Sequence, residues 1–419
     1  MKWGMSFTQS LNSKAFTLLT GIAVAIFIAA QAASAQSNEG FMYGKVKTRS
    51  SIYEGQIRWG NEEAFWTDYF NAAKRASNHY HGIVEQEKKK HRQDEDFDWD
   101  ILSIWADKTT THQFNCQFGD IRQIEITGRS SATIQFKNRL TIQINGTTYN
   151  DVGSKIQVLD KELGLTTLEW DRIEVIEFMP FPKNVTARLG DPLFGTVETE
   201  RREKFTGYIQ WDHDERLTTD KLDGDARDGD VSMPFTSVVS IEKNGRGSQV
   251  AMKSGREIYL TGSNDVDESN RGVIVIVPGK GMIDIPWEEF KKVTFTPAQT
   301  SGPSYDSFVM PHQLSGKVLL FDDRVISGKL IYDIDETFDF ETLEGNDNGL
   351  KYTIPFRNIR SIKPKNEDYT FVELRNGETL LLGDGRDVNA TNDGMLVFEN
   401  GRKDPTHVRW RRVEQIIFD

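Results

Sequence analysis

The chain has 419 residues, of which 63 are acidic and 51 basic, for a net charge of −12; such a surface repels nucleic acid and anionic lipid and leaves cations, neutral sugars and proteins as partners. The single cysteine, Cys116, allows no internal disulfide, so stability must come from packed cores. At this length one small core is too few, and two or more domains are expected.

Residues 1–35 have the three parts of a secretory signal. Lys2 and Lys14 supply positive charge, Leu18 to Ala30 an apolar core, and Ala33-Ser34-Ala35 a small-residue cleavage site before Gln36. The apolar core is shorter than the ~20 residues of a membrane span, and no later run is long enough for one. No cysteine follows the cleavage site to carry a lipid. The expectation is an exported chain, periplasmic or secreted, without a transmembrane span.

Three segments then align: 41–180, 193–296 and 314–419. Each opens on a pair of glycines inside alternating apolar and polar residues: Gly44 and Gly55, Gly195 and Gly207, Gly316 and Gly328. That spacing predicts a β-hairpin. A second half follows in each repeat, with turn dipeptides Ser254-Gly255 and Asn376-Gly377 and, in repeat one, Lys137-Asn138, where Asn can still adopt the left-handed conformation. Six tails end the six halves alike, from Phe118, Trp170, Phe235, Trp287, Phe356 and Trp410, each with an apolar residue three positions on. A three-residue spacing between alternating flanks predicts strand, one 3₁₀ turn, strand.

With about three more short strands ahead of it, that order of elements is the order of an SH3-like or Sm-like small barrel. The chain resembles the tandem small-barrel repeats of exported bacterial proteins, marked by paired glycines and by Pro-aromatic tails such as Met233-Pro234-Phe235 and Ile354-Pro355-Phe356. The resemblance implies an all-β fold of three tandem repeats, each a pair of small barrels, and implies no activity. A six-bladed β-propeller made from the six half-units is the alternative, although the helical turn in each tail is foreign to a blade.

Repeat one alone carries an insertion, about 71–111. Its Ala72–Arg92 stretch, rich in Glu, Lys and Gln and free of proline, predicts one or two helices ahead of the acidic run Asp94-Glu95-Asp96 and the apolar stretch Trp99 to Trp105. Linkers rich in Pro, Gly, Ser or Thr fall near 182–192 and 297–311.

Two acidic patterns recur. Asp265-Val-Asp267-x-x-Asn270 matches Asp387-Val-Asn389-x-x-Asn392, with Asp151-Val152 at the same place in repeat one. Oxygen side chains at fixed offsets suit calcium, which takes six to eight oxygens, so Asp265, Asp267, Asn270, Asp387, Asn389 and Asn392 are candidate metal ligands. The competing reading is that these residues cap their own turns. The second pattern follows an aromatic: Trp59 then Glu62 and Glu63, Trp211 then Asp212, Asp214 and Glu215, Tyr332 then Asp333, Asp335 and Glu336. Trp59, Trp211 and Tyr332 could stack on a sugar while Asp214 and Asp335 accept from its hydroxyls; alternatively the aromatics end strands in the core, as recurrence favours.

Enzyme motifs for metalloproteases, serine hydrolases, phosphate loops and thiol redox sites are missing. His79, His81 and Cys116 are too scattered for a transition-metal site, and no signature surrounds Cys116 as a nucleophile. The leading expectation is a non-enzymatic envelope binding or scaffold module whose partner is a protein or polysaccharide, with no cofactor. A calcium-dependent carbohydrate-binding protein and a periplasmic hydrolase with paired carboxylates are the alternatives.

Overall fold

The structure, a computed structural model, describes Met1 and residues 37–75, 111–146 and 151–419. The signal-like segment, residues 76–110 of the insertion and residues 147–150 lie outside the described residues. In repeat one, β1 (Tyr43–Thr48) and β2 (Ile52–Trp59) form the expected hairpin, with Gly44 facing Gly55. Gly195 faces Gly207 and Gly316 faces Gly328 in the other repeats. Close packing explains the glycines: a Cβ on Gly44 would stand 2.2 Å from the Glu177 carbonyl oxygen, and one on Gly55 2.0 Å from that of Leu159.

Those carbonyls belong to strands far along the chain. After the first hairpin come β3 (Tyr69–Arg75), β4 (Thr111–Gln117), β5 (Ile121–Gly128), β6 (Ser131–Phe136), β7 (Thr141–Asn145), β8 (Ile156–Asp160), β9 (Gly164–Leu168) and β10 (Ile173–Phe178). The resulting sheet is antiparallel, in the order β4-β3-β7-β6-β5-β10-β1-β2-β8-β9. The two halves of the repeat have exchanged their opening strands. β1 and β2 of the first half complete a group with β8, β9 and β10 of the second, while β6 and β7 complete one with β3, β4 and β5. β10 pairs with both β1 and β5 and joins the groups. Repeats two and three repeat the pattern: Phe194–Thr199 pairs with Phe290–Phe295, and Ser315–Leu320 with Val413–Phe418.

The fold is all-β, as expected. Among the described residues none of the sheets closes into a barrel: after β9 the chain turns through Trp170–Arg172 into β10, which bonds β1 and β5, and no described strand pairs with the far edge of β9. Nor do the strands separate into blades, since the last strand of each repeat lies between its first and fifth. Five of the six tails contain the 3₁₀ turn, at Phe118–Asp120, Trp170–Arg172, Phe235–Ser237, Phe356–Asn358 and Trp410–Arg412. At Trp287 a turn takes its place, with the Phe290 amide on the Pro286 carbonyl at 3.0 Å.

Two local expectations are corrected. Ala72–Arg75 is not helical but the end of β3, zipped to β4 with Arg75 opposite Thr111, so the insertion leaves and re-enters the sheet through a hairpin. In the Lys137-Asn138 turn the left-handed residue is Arg139, φ +68°, and Asn138 caps the turn by accepting the Leu140 amide at 2.9 Å. Among the described residues no helix is long and apolar enough to cross a membrane.

Repeats two and three share a continuous sheet and core. Met282, Ile283 and Asp284 pair with Thr353, Tyr352 and Lys351, and a single apolar cluster runs through both repeats. Repeat one has its own cluster, which takes in Leu217, Phe340 and the second linker's Tyr305 and Phe308. Phe340 stacks on Phe136 with ring centroids 4.3 Å apart. Lys137 pins that linker by donating to the carbonyls of Tyr305 and Phe308 at 2.6 and 2.8 Å.

Candidate functional site

The two recurring acidic patterns, far apart in sequence, meet in space. In each repeat the aromatic at the end of the second strand is completely buried: Trp59, Trp211 and Tyr332 are all 0% exposed. Each donates to the backbone of the Asp-Val pair, Trp59 Nε1 to the Asp151 carbonyl and Trp211 Nε1 to that of Asp265, both at 2.9 Å, and Tyr332 Oη to that of Asp387 at 2.5 Å. The same aspartates accept a backbone N–H through Oδ2, from Asn71 at 2.5 Å and from Asp223 and Glu344 at 2.7 Å. The Asp-Val pair thus braces the second strand of a repeat against its third, with Val152, Val266 and Val388 buried beneath. This corrects the reading of Trp59, Trp211 and Tyr332 as a ligand platform: with no exposed face they cannot stack on a sugar.

The later oxygens of the loops turn back on their own backbone. Asp267 Oδ1 accepts the Ser269 amide and hydroxyl at 3.0 and 2.6 Å, and Asn389 Oδ1 those of Thr391 at 2.8 and 2.6 Å. Asn270 and Asn392 accept the amides of Gly272 and Gly394, both at 2.8 Å. Of the six candidate metal ligands, Asp265 and Asp387 alone reach an acidic cluster; the other four cap turns. Asp214 pairs with Arg271 at 3.0 Å and Asp335 with Lys74 of repeat one at 3.0 Å, so both are engaged by cations of this chain.

What joins Asp151, Asp265 and Asp387 is a glutamate four residues after each aromatic: Glu63, Glu215 and Glu336. The backbone places it, since the Trp59, Trp211 and Tyr332 amides donate to its carbonyl at 2.8 Å and tuck it under the strand end. Carboxylate oxygens of Glu62, Glu63 and Asp151 all lie within 4.8 Å of one another, as do those of Asp212, Glu215 and Asp265. Glu63, Glu215 and Glu336 each bury an Oε2 that has no hydrogen-bond partner among the described residues.

The electrostatics follow from burial. Loss of water, then the Asp151 and Glu62 charges, push Glu63 well above the usual carboxylate range. Burial raises Asp151 to about 7 and Asp265 to about 6, against the pull of their backbone hydrogen bonds. Glu215 rises to about 10 through burial and the adjoining Asp214. In repeat three Glu336 and Asp333 are raised too, again chiefly by burial, but Arg386 stands in the cluster. Its Nε lies 2.7 Å from Asp333 Oδ2 and its Nη2 2.9 Å from Asp393 Oδ2.

Carboxylates at this spacing can share a proton or hold a cation. Hydrolysis would need one of them open to substrate, and the unpartnered oxygens face inward. Cys116 is completely buried, and desolvation pushes its thiol well up, away from the reactive thiolate. Sequence reading found both acidic patterns but placed the glutamates in solvated turns; the missed signal was that the two patterns recur together, repeat by repeat. No protein-family model, curated protein or solved structure matches this chain.

Proposed function

We propose that this chain is an exported, non-enzymatic binding module of the cell envelope that takes an extended segment of a partner protein onto an open sheet edge. The observation that carries the reading is the unequal use of one strand. In repeat two the strand Gly281–Ile285 is covered by Leu350–Pro355 of repeat three through three antiparallel residue pairs. Its counterpart in repeat one, β9, ends its sheet and has no strand beyond it among the described residues. Leu163 and Leu165 stand out from this edge, 69% and 55% exposed. An unpaired row of N–H and C=O groups beside exposed apolar side chains is a template for strand addition, with backbone bonds giving affinity and alternate side chains giving selectivity. The occupant expected on β9 is therefore a strand with alternating apolar residues, of which Leu350–Pro355 is the internal example. The partner is a protein; the polysaccharide reading has lost its aromatic platform.

A labelled peptide of the sequence Leu-Lys-Tyr-Thr-Ile-Pro, titrated against the full chain, should bind, and Leu165→Lys should weaken it at least tenfold by placing a charge on the edge. Equal binding by a scrambled peptide or by the variant would remove the edge from consideration. Export is tested separately: the chain recovered outside the cytoplasm should begin at Gln36.

A further inference from the structure

We propose that Glu62, Glu63 and Asp151 of repeat one bind a divalent cation, and that Asp212, Glu215 and Asp265 of repeat two, which share the glutamate and the Asp-Val aspartate but differ in the third carboxylate and in the burial of the glutamate, form a second site. This inference does not depend on how the partner is held. Three carboxylates in one place would not alone make a site; the decisive residue is Glu63. Its side chain is 6% exposed, its Oε2 is buried without a hydrogen-bond partner among the described residues, and its carboxylate lies within 4.8 Å of those of Glu62 and Asp151. A buried acceptor left unsatisfied costs about 1–3 kcal/mol, more when charged, and a cation held between the three carboxylates removes that cost at Glu63.

Repeat three supplies the comparison inside the same molecule. There the residue before the Asp-Val pair is Arg386, whose guanidinium enters the acidic cluster and pairs with Asp333 at 2.7 Å. The same position holds Asn264 in repeat two and Asn150 in repeat one. Asn264 donates its amide to Asp212 but brings no charge. In repeat three the chain places its own cation beside Asp333, within the group of Asp333, Glu336 and Asp387; the asparagines at that position in the other two repeats carry no charge. In repeat two Arg271, half exposed, pairs with Asp212 at 3.6 Å and with Asp214 at 3.0 Å, and Glu215 and Asp265 stand beside Asp212 with no ion pair among the described residues. Near repeat one's cluster, Arg216 draws on Glu63 by charge but makes its ion pair with Asp68, at 2.8 Å.

The donors choose the ion. They are all carboxylate oxygens, without nitrogen or sulfur, which suits a hard cation and disfavours zinc or copper. Calcium accepts an irregular oxygen set completed by water, whereas magnesium demands a near-octahedral one. Calcium is the expected occupant, at Glu63 and Glu215 and not in the turns of Asp267, Asn270, Asn389 and Asn392.

The full chain, stripped with chelator and titrated with calcium by calorimetry, should take up two ions. Terbium in place of calcium should give emission sensitised through Trp59 and Trp211, whose indoles are bonded to the carbonyls of Asp151 and Asp265. Glu63→Gln and Glu215→Gln should each remove one site, the double variant both, and Glu336→Gln neither. If Glu63→Gln does not fold, as circular dichroism would show, Glu62→Gln is to replace it, with binding at least tenfold weaker. Absence of calcium heat and terbium emission at millimolar ion, or undiminished uptake by the folded double variant, would overturn the proposal and leave the clusters as carboxyls sharing protons.

Discussion

Asp387 accepts the Glu344 amide through one oxygen, yet its burial resists the charge that would strengthen that bond. Unfolded, an aspartate titrates near 4; folded, burial raises this one to about 7. The folded state holds the proton more tightly, so the stabilisation is fully present below about pH 4 and is lost as pH rises through 7. Asp387→Asn keeps the acceptor and removes the charge. Its unfolding free energy relative to the parent, from denaturant titrations, should climb between pH 4 and pH 8, by a few kcal/mol at most; parallel curves would mean that Asp387 is ionised throughout. The sequence shows that Asp387 and its counterparts recur, but not which way they face. An aromatic followed by acids reads the same whether it stacks on a ligand or ends a buried strand, and only the bond from Trp59, Trp211 or Tyr332 to the Asp-Val backbone distinguishes the two.

At the scale of elements, the facing glycines are the most informative residues in the chain. A Cβ on Gly328 would stand 2.2 Å from the Phe398 carbonyl oxygen, in the strand paired beyond the hairpin. Gly328→Ala should therefore lower stability by about 1–3 kcal/mol, while Ser327→Ala, at an exposed neighbour, should leave the melting temperature unchanged. Equal effects would show that the sheet can yield at this point. Hairpins, tails and most 3₁₀ turns were legible because each is specified by residues a few positions apart. The exchange of opening strands was not. Val46 pairs with Ile176 through β10, and Ile176 in turn with Ile124 of β5; three similar apolar residues on alternating strands give no local sign of which pairs with which. The halves are alike enough for either to supply the opening strands, and the choice is made by tertiary packing. For the same reason Glu63 and Asp151 were each visible in sequence, but their meeting was not.

Across the molecule, repeat one holds the others by charge. Arg58 clasps Asp220 at 2.7 and 2.8 Å, Arg216 returns the contact to Asp68, Lys74 reaches Glu341 at 2.6 Å, and Arg357 grips Asp120 with two bonds of 2.6 Å. Three of these acids, Asp68, Asp220 and Glu341, also cap the turn leading into the third strand of their own repeat. Arg216 is completely buried and lies 4.5 Å from the Phe65 ring centroid. Removing it strands the Asp68 charge, so Arg216→Ala should cost about 3–5 kcal/mol, and Asp68→Asn added to it should restore part of the loss. An exposed-pair effect below ~1 kcal/mol would show instead that water reaches this joint.

The strand exchange also governs timing. β1 has no full set of neighbours until β10 has been made, and β7 must find β3 on the other side of the insertion. Contacts this distant in sequence slow the search for the native arrangement, because loop closure must be met before they form. In each repeat the first strand gains its second neighbour only from the last, so a nascent chain cannot complete any repeat before that repeat's final residues have been made.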